Sequence, residues 1–198
     1  MPANEYDPAL DDLFRLIGQY ITLSADSRAA FASIAEKREY PKGVCLVSAG
    51  SCCKHLFFIQ EGLTRTFYIK DGKEVTDWIS PEQSLAVSIV SFITGLPDIR
   101  SIETLEHSIV WAIGRDDLEQ LYRKNHEIER FGRLMVSAGA VQMQQRFDDL
   151  HFASARERYS KLMQQSPTLL QRVPLGMIAS YLGITQETLS RIRADYTI

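Results

Sequence analysis

Pro174 to Arg193 reads PLGMIASYLGITQETLSRIR. Three positions organise this stretch. Ala179 is small, so two helices can approach closely around it. Gly183, four residues on, supplies the turn conformation that other residues resist. Leu189, six residues further, plugs a second helix into a core shared with Ile178, Leu182, Ile184 and Ile192. Thr185 stands where an N-cap is needed and can satisfy an exposed N–H of the second helix. With Leu189 and Ile192 turned inward, Gln186, Glu187, Ser190 and Arg191 face outward. Such side chains can hydrogen-bond base edges and phosphates. The spacing predicts a helix-turn-helix, with Thr185, Gln186, Glu187, Ser190, Arg191 and Arg193 as DNA-binding residues. A helical hairpin that serves packing alone is the alternative.

The charge distribution points the same way. The chain of 198 residues carries a formal net charge of −3, and 45 % of it is apolar. From Ser154 onward six basic residues (Arg156, Arg158, Lys161, Arg172, Arg191, Arg193) face three acidic ones (Glu157, Glu187, Asp195), so this segment is +3 and the remainder −6. A basic end on an acidic body suits a protein of which one small part meets a polyanion. The N-terminal MPANEYDPALDD has no basic-then-apolar signal pattern. The most apolar run, Leu85 to Leu96, is too short and serine-rich to span a bilayer. These features predict a cytoplasmic protein without membrane partners. The three cysteines, Cys45, Cys52 and Cys53, form an odd set without secretory signs and read as small buried hydrophobes, not as a disulfide framework.

Upstream, Asp11–Tyr20 and Ser24–Ala35 carry helical patterns, with Ser24 as an N-cap. From about Ala35 short runs rich in β-branched and aromatic residues follow: CLVSA, HLFFIQEG, LTRTFYIK, KEVTDWI, RSIETLE and SIVWAIG. Asp71-Gly72 between the third and fourth is a hairpin signal, because a two-residue primed turn needs positive φ. Many short strands with frequent turns suggest a β-roll or jelly roll. Pro81 to Pro97 interrupts them as a short helix or loop. Asp116 and Glu119 match a capping box that opens DDLEQLYRK. His126 to Phe152 then predicts a long helix with two apolar stripes. Ile128, Phe131, Met135 and Ala138 form one; Val136, Ala140, Met143, Phe147 and Leu150 form the other. One stripe suffices to pack a helix on its own domain. The second calls for another surface, most simply the same helix of a second subunit. The other reading is a helix sandwiched within one chain.

IASYLGITQETLSRIR resembles the helix-turn-helix of the Crp/Fnr family of bacterial transcription regulators. EYPKGVCLVSAG (39–50) resembles that family's first roll turns, and FFIQEGLTRTFYIKDGKEVTDWI (57–79) its central hairpin. The resemblance implies an α+β chain in three parts. An N-terminal double-stranded β-helix (jelly-roll) sensor domain of cyclic-nucleotide-binding type covers 1–125. A dimerisation helix covers 126–152, and a small helical helix-turn-helix domain covers 153–198. It implies a homodimer that binds double-stranded DNA, with RNA polymerase as a further partner, and Gln186, Glu187 and Arg191 as the main base-contacting positions. Family members often have Arg where this chain has Gln186, so its operator is expected to differ. The family's β-hairpin wing finds no room in ADYTI.

Relatives that bind cyclic AMP use a Gly-Glu pair and an Arg-Ser or Arg-Thr pair. The Glu accepts the ribose 2′-hydroxyl and the Arg neutralises the phosphate. Here Ala86, Val87 and Ser88 stand near the expected Gly-Glu, and none supplies a carboxylate. Arg100-Ser101 spells the second pair but falls about two residues late. An even shift keeps a strand side chain on one face, so Arg100 either still points inward or is a solvated loop arginine. Ser88, Arg100 and Ser101 are the candidate ligand-binding residues, for a small-molecule effector other than cyclic AMP or for none. Three cysteines fall short of the usual iron–sulfur ligand count. His55, His107, His126 and His151 are scattered without metal-ligand spacing. No metal, cofactor or catalytic residue is predicted, so the chain is not read as an enzyme. A ligand-binding or protein-interaction module with a vestigial helix-turn-helix is the alternative function.

Overall fold

The computed structural model describes residues 7–196; the first six residues, on which the signal-peptide reading partly rests, and the last two of ADYTI lie outside them. A short 3-10 turn, Pro8–Leu10, leads into α1 (Asp11–Gly18), and α2 (Ala25–Ala32) follows. The Ser24 hydroxyl accepts the Ser27 N–H and so caps α2, as its sequence position predicts.

Eight strands come next: β1 (Ala35–Tyr40), β2 (Cys45–Val47), β3 (His55–Glu61), β4 (Thr64–Lys70), β5 (Lys73–Ser80), β6 (Ser84–Ala86), β7 (Ser101–Thr104) and β8 (Ser108–Gly114). They form two four-stranded antiparallel sheets, in the orders β1-β8-β3-β6 and β2-β7-β4-β5. Alternate side chains of both sheets meet in one apolar core of Val47, Cys53, Phe57, Ile59, Ala86, Ile102, Val110 and Ala112. The β4–β5 turn is Asp71-Gly72, with φ of +52° and +73°. That is the double positive φ a primed two-residue turn requires. β1 was not among the strands expected from sequence. Its residues AEKREY are polar because it is an edge strand, one side open to solvent and the other paired to β8. The Pro81–Pro97 interruption resolves into β6 and α3 (Ile89–Thr94).

α4 (Arg115–Lys124) begins one residue before the expected box. Gly114 is its N-cap without a side-chain bond, and Asp116 and Asp117 lie in its first turn, where they favour the helix dipole. The capping box of this chain lies instead at Ser154 and Glu157, which exchange side-chain–backbone bonds to open α6 (Ala155–Gln165).

Between them runs α5 (His126–Phe152), with the bounds its periodicity predicts. The Asn125 carboxamide oxygen accepts from the N–H groups of Glu127 and Ile128. Ile128 and Phe131 fix the first turns in a core with α1, α2 and β8. There Phe31 meets Phe14 and Phe131 edge-to-face at 6.5 and 6.2 Å.

Three further helices close the chain: α7 (Leu169–Arg172), α8 (Leu175–Tyr181) and α9 (Gln186–Tyr196). Their core of Tyr159, Leu162, Leu169, Val173, Ile178, Ala179, Leu182 and Leu189 continues into Leu63, Ile79 and Leu105 of the strand region. The C-terminal helices are therefore docked on the sheets and not tethered beside them. No helix among the described residues is long and apolar enough to cross a membrane.

Candidate functional site

Three places hold the residues singled out from sequence. The first is the α8–α9 pair. Gly183 has φ +66°. Its N–H donates to the Ser180 carbonyl, and the Ile184 N–H donates to that of Ala179, each at 3.0 Å. This is the pair of bonds that ends a helix on a left-handed residue. Thr185 Oγ1 accepts the Thr188 N–H at 3.1 Å and caps α9. Ala179 and Leu189 are buried, as the spacing requires. Thr185, Gln186, Glu187, Ser190, Arg191 and Arg193 are all exposed. They share the solvent side of one helix and its cap.

The basic residues upstream do other work. Arg158 donates to the carbonyls of Leu182 and Ala153, so it closes the C-terminal ends of α8 and α5. Lys161 pairs with Asp149 at 2.5 Å. Arg146 lies 3.9 Å from the centre of the Tyr181 ring and donates to the Tyr181 carbonyl. Arg172 reaches the strand region. Its guanidinium binds the carboxylates of Glu82 and Glu106 and donates to the Gly62 carbonyl. Burial opposes ionisation of Glu82, yet the hydrogen bonds and charge of Arg172 prevail and hold that carboxyl below its usual value. At least four of the six basic residues counted from Ser154 onward thus make internal contacts, because Arg156 also pairs with Asp195 at 3.8 Å. The sign asymmetry read from sequence is partly an attraction between the basic end and the acidic body. A second set of contacts runs along the β5 edge. The Thr76 N–H donates to Ser180 Oγ at 2.9 Å, and Trp78 meets Tyr181 edge-to-face at 6.5 Å. A cleft of about 430 Å³ remains between Arg65 and Glu74 of β4 and β5 and Gln186 at the start of α9.

The second place is the outer side of α5. Val136, Met143, Phe147 and Leu150 are 40–57 % exposed, and Ala140 is exposed with them. The other stripe turns inward: Ile128 and Phe131 are buried, Met135 packs against the same core and Ala138 is half-buried. Leu150 also approaches the α8–α9 turn, its Cδ2 3.1 Å from where a Cβ on Gly183 would stand.

The third place joins α3 to β7. Ser88 is fully buried, and its hydroxyl donates to Asp98 Oδ2 at 2.6 Å. The Ile99 N–H donates to Asp98 Oδ1 at 2.7 Å, and Arg100 Nη1 lies 3.3 Å from both carboxylate oxygens. Arg100 Nε donates to Asp77 Oδ2 at 2.6 Å. Arg100 is therefore a paired, half-buried side chain, in contrast to the solvated loop arginine that its sequence offset allowed. Burial works against the charge on Asp98, but the Ser88 hydroxyl, the Ile99 N–H and Arg100 together hold its pKa below the usual value. Ser101 faces another way, its hydroxyl accepting the Ala49 N–H. Sequence reasoning missed Asp77 and Asp98. Asp77 sits at the β4–β5 bulge, where the pairing slips between Thr66 and Phe67, and this aims its carboxylate at Arg100. Of the cysteines only Cys53 is buried; Cys45 is exposed. No group of three or more metal-ligating side chains occurs among the described residues.

The paired four-stranded sheets, the long helix and the docked helical end define a β-roll joined to a small helical unit. Residues 37–125 match the cyclic nucleotide-binding domain family. The chain resembles FixK2 from Bradyrhizobium japonicum with a TM-score of 0.71 at 16 % identity, over 82 % of this chain and 84 % of that one. It resembles a putative Crp/Fnr-family transcriptional regulator from Eubacterium rectale with a TM-score of 0.67 at 15 % identity, over 97 % and 87 %. The catabolite activator protein of Thermus thermophilus aligns at 20 % identity with a TM-score of 0.57, over 90 % and 85 %. No curated protein sequence matches the chain. The match over residues 37–125 and these solved structures show a fold shared with proteins described as Crp/Fnr-family regulators.

Proposed function

We propose that this protein is a dimeric, sequence-specific DNA-binding transcription regulator and not an enzyme. Its parts are a jelly-roll sensor over 1–125, a dimerisation helix over 126–152 and a helix-turn-helix unit over 153–198. The observation that carries this reading is the α8–Gly183–α9 pair: a glycine-closed turn, a Thr185 cap, a buried Leu189, and Gln186, Glu187, Ser190 and Arg191 together on the solvent side. Together these side chains offer both donors and acceptors to base edges. Arg191 and Glu187 read base edges, and Arg193 with Arg156 meets phosphates. The exposed stripe Val136, Ala140, Met143, Phe147 and Leu150 is the seam between two copies. RNA polymerase is the partner such a DNA-bound regulator would act on.

The effector is not cyclic AMP bound in the manner of its family. Ala86 and Val87 cannot accept a ribose hydroxyl, Ser88 is committed to Asp98, and Arg100 is already neutralised by two carboxylates. Leaving a buried hydroxyl without its partner costs about 1–3 kcal/mol.

Selection of bound sequences from a random DNA library tests the main reading. Wild type should enrich a two-fold symmetric site. Arg191→Ala should bind that site about 5- to 150-fold more weakly, which corresponds to about 1–3 kcal/mol, and with flattened preference. Equal affinity and identical preference in both proteins would remove Arg191 from the recognition surface. Absence of any enriched sequence would turn the reading toward a protein-interaction module.

A further inference from the structure

Asp98 is surrounded by three different kinds of donor. A buried hydroxyl (Ser88), a backbone N–H (Ile99) and a guanidinium (Arg100) converge on its two oxygens. Only 9 % of the side chain is exposed. Its own backbone is pinned as well, its carbonyl accepting the Gly50 N–H at 2.7 Å. Hydroxyl, amide and guanidinium together form a donor set that binds a carboxylate or a phosphoryl group. Every member of that set comes from a different part of the α3–β7 connection or its flanks: Ser88 from the residue before α3, Ile99 from the loop after it, Arg100 from the residue before β7.

We propose that this cradle is an oxyanion-binding site of the roll and that the Asp98 carboxylate is its resident, internal ligand. The carboxylate does for the roll what a free oxyanion would do: it ties the residue before α3 to the start of β7 and so fixes the α3 segment. The α3 segment is thereby held in place without a small molecule. The second carboxylate, Asp77, keeps Arg100 in place from β5, so two carboxylates share one guanidinium. A dissolved anion must displace a tethered group to enter. The tether gives Asp98 a high effective concentration, so competition is strongly against the free species. This assignment deepens the proposal that the sensor takes no cyclic AMP, but it does not depend on DNA binding.

Removal of the carboxylate tests it. Asp98→Ala should lower the melting temperature of the full chain, and inorganic phosphate or formate at constant ionic strength should restore part of the loss. A rise of about 3–8 °C is expected once the anion exceeds its dissociation constant 10- to 100-fold. Wild type should move by less than about 1 °C in the same titration. Asp98→Asn keeps the shape and one acceptor oxygen, so it should fold even if Asp98→Ala does not, and it should respond to neither anion. Asp98→Ala combined with Arg100→Met should lose the rescue. A phosphate or formate response of equal size in wild type and Asp98→Ala would overturn the proposal. So would an Asp98→Ala protein that folds and gains nothing from either anion. Cyclic AMP binding to wild type that Arg100→Met abolishes would do the same, because the cradle would then be open to an external ligand.

Discussion

Replacing Arg172 with Ala should loosen the helical end from the roll. The guanidinium is 24 % exposed and its partners Glu82 and Glu106 are 37 % and 34 % exposed, so both ion pairs are partly screened. At such exposure each pair contributes up to about 1 kcal/mol. The hydrogen bond to the Gly62 carbonyl adds about 1 kcal/mol. Two carboxylates facing one another without a cation add repulsion that water relieves in part. The loss is about 2–3 kcal/mol, against an apolar contact through Leu63, Ile79, Leu105, Leu169 and Val173 that the substitution leaves in place. Native-state hydrogen exchange separates local loosening from global loss. Amides of α8 should exchange about 30- to 150-fold faster in Arg172→Ala, while those of β3 and β8 change much less. Arg172→Lys should recover part of the protection, because an ammonium keeps the charge and loses the fork that spans two carboxylates. High salt should bring wild type towards the variant. Unchanged α8 exchange in Arg172→Ala would refute the claim that this arginine holds the two parts together.

The seam proposed on α5 predicts that Phe147→Glu weakens self-association at least about 100-fold, since each copy would bring a charge to an apolar contact; sedimentation velocity at micromolar concentration reads this directly, and an unaltered profile would clear this side of α5 of any role. Gly183→Ala should cost about 1–2 kcal/mol, because φ +66° disfavours any Cβ and Leu150 lies close by. For a chain of this size that is a fall in melting temperature of about 3–6 °C, and an unshifted transition would show that the turn relaxes freely. Acid should destabilise the protein through Glu82 and Asp98. Both have folded pKa values below their ordinary ones, so their contributions are complete above about pH 5 and are lost as pH falls through the folded values. Melting temperature should therefore drop below about pH 4, and the drop should be smaller in Arg172→Ala than in wild type.

Local order in this chain was legible wherever one short segment sets its own conformation. Asp71-Gly72 makes a primed turn, Ser24 and Thr185 cap helices, and Gly183 ends one, because each needs only its immediate neighbours. The α5 stripes were legible for a related reason: a period of 3.6 residues assigns sides to a helix before any partner is known. The edge strand β1 was not, since pairing to β8 and not composition makes it a strand. The site that holds Asp98 was equally hidden. Ser88 and Asp98 are ten residues apart and Asp77 and Arg100 twenty-three, and no periodicity links them. The grip of Arg172 on Glu82 and Glu106 spans 90 and 66 residues. Sequence counted that arginine as positive charge available to a polyanion, whereas the fold uses it internally. The sequence by itself determined the turns, the caps and the exposed polar side of α9, all set by short-range sterics and hydrogen bonding. Only the tertiary structure decided which charges remain available and which are neutralised, because a charge's partner is chosen by distance in space and burial, and neither follows from order along the chain.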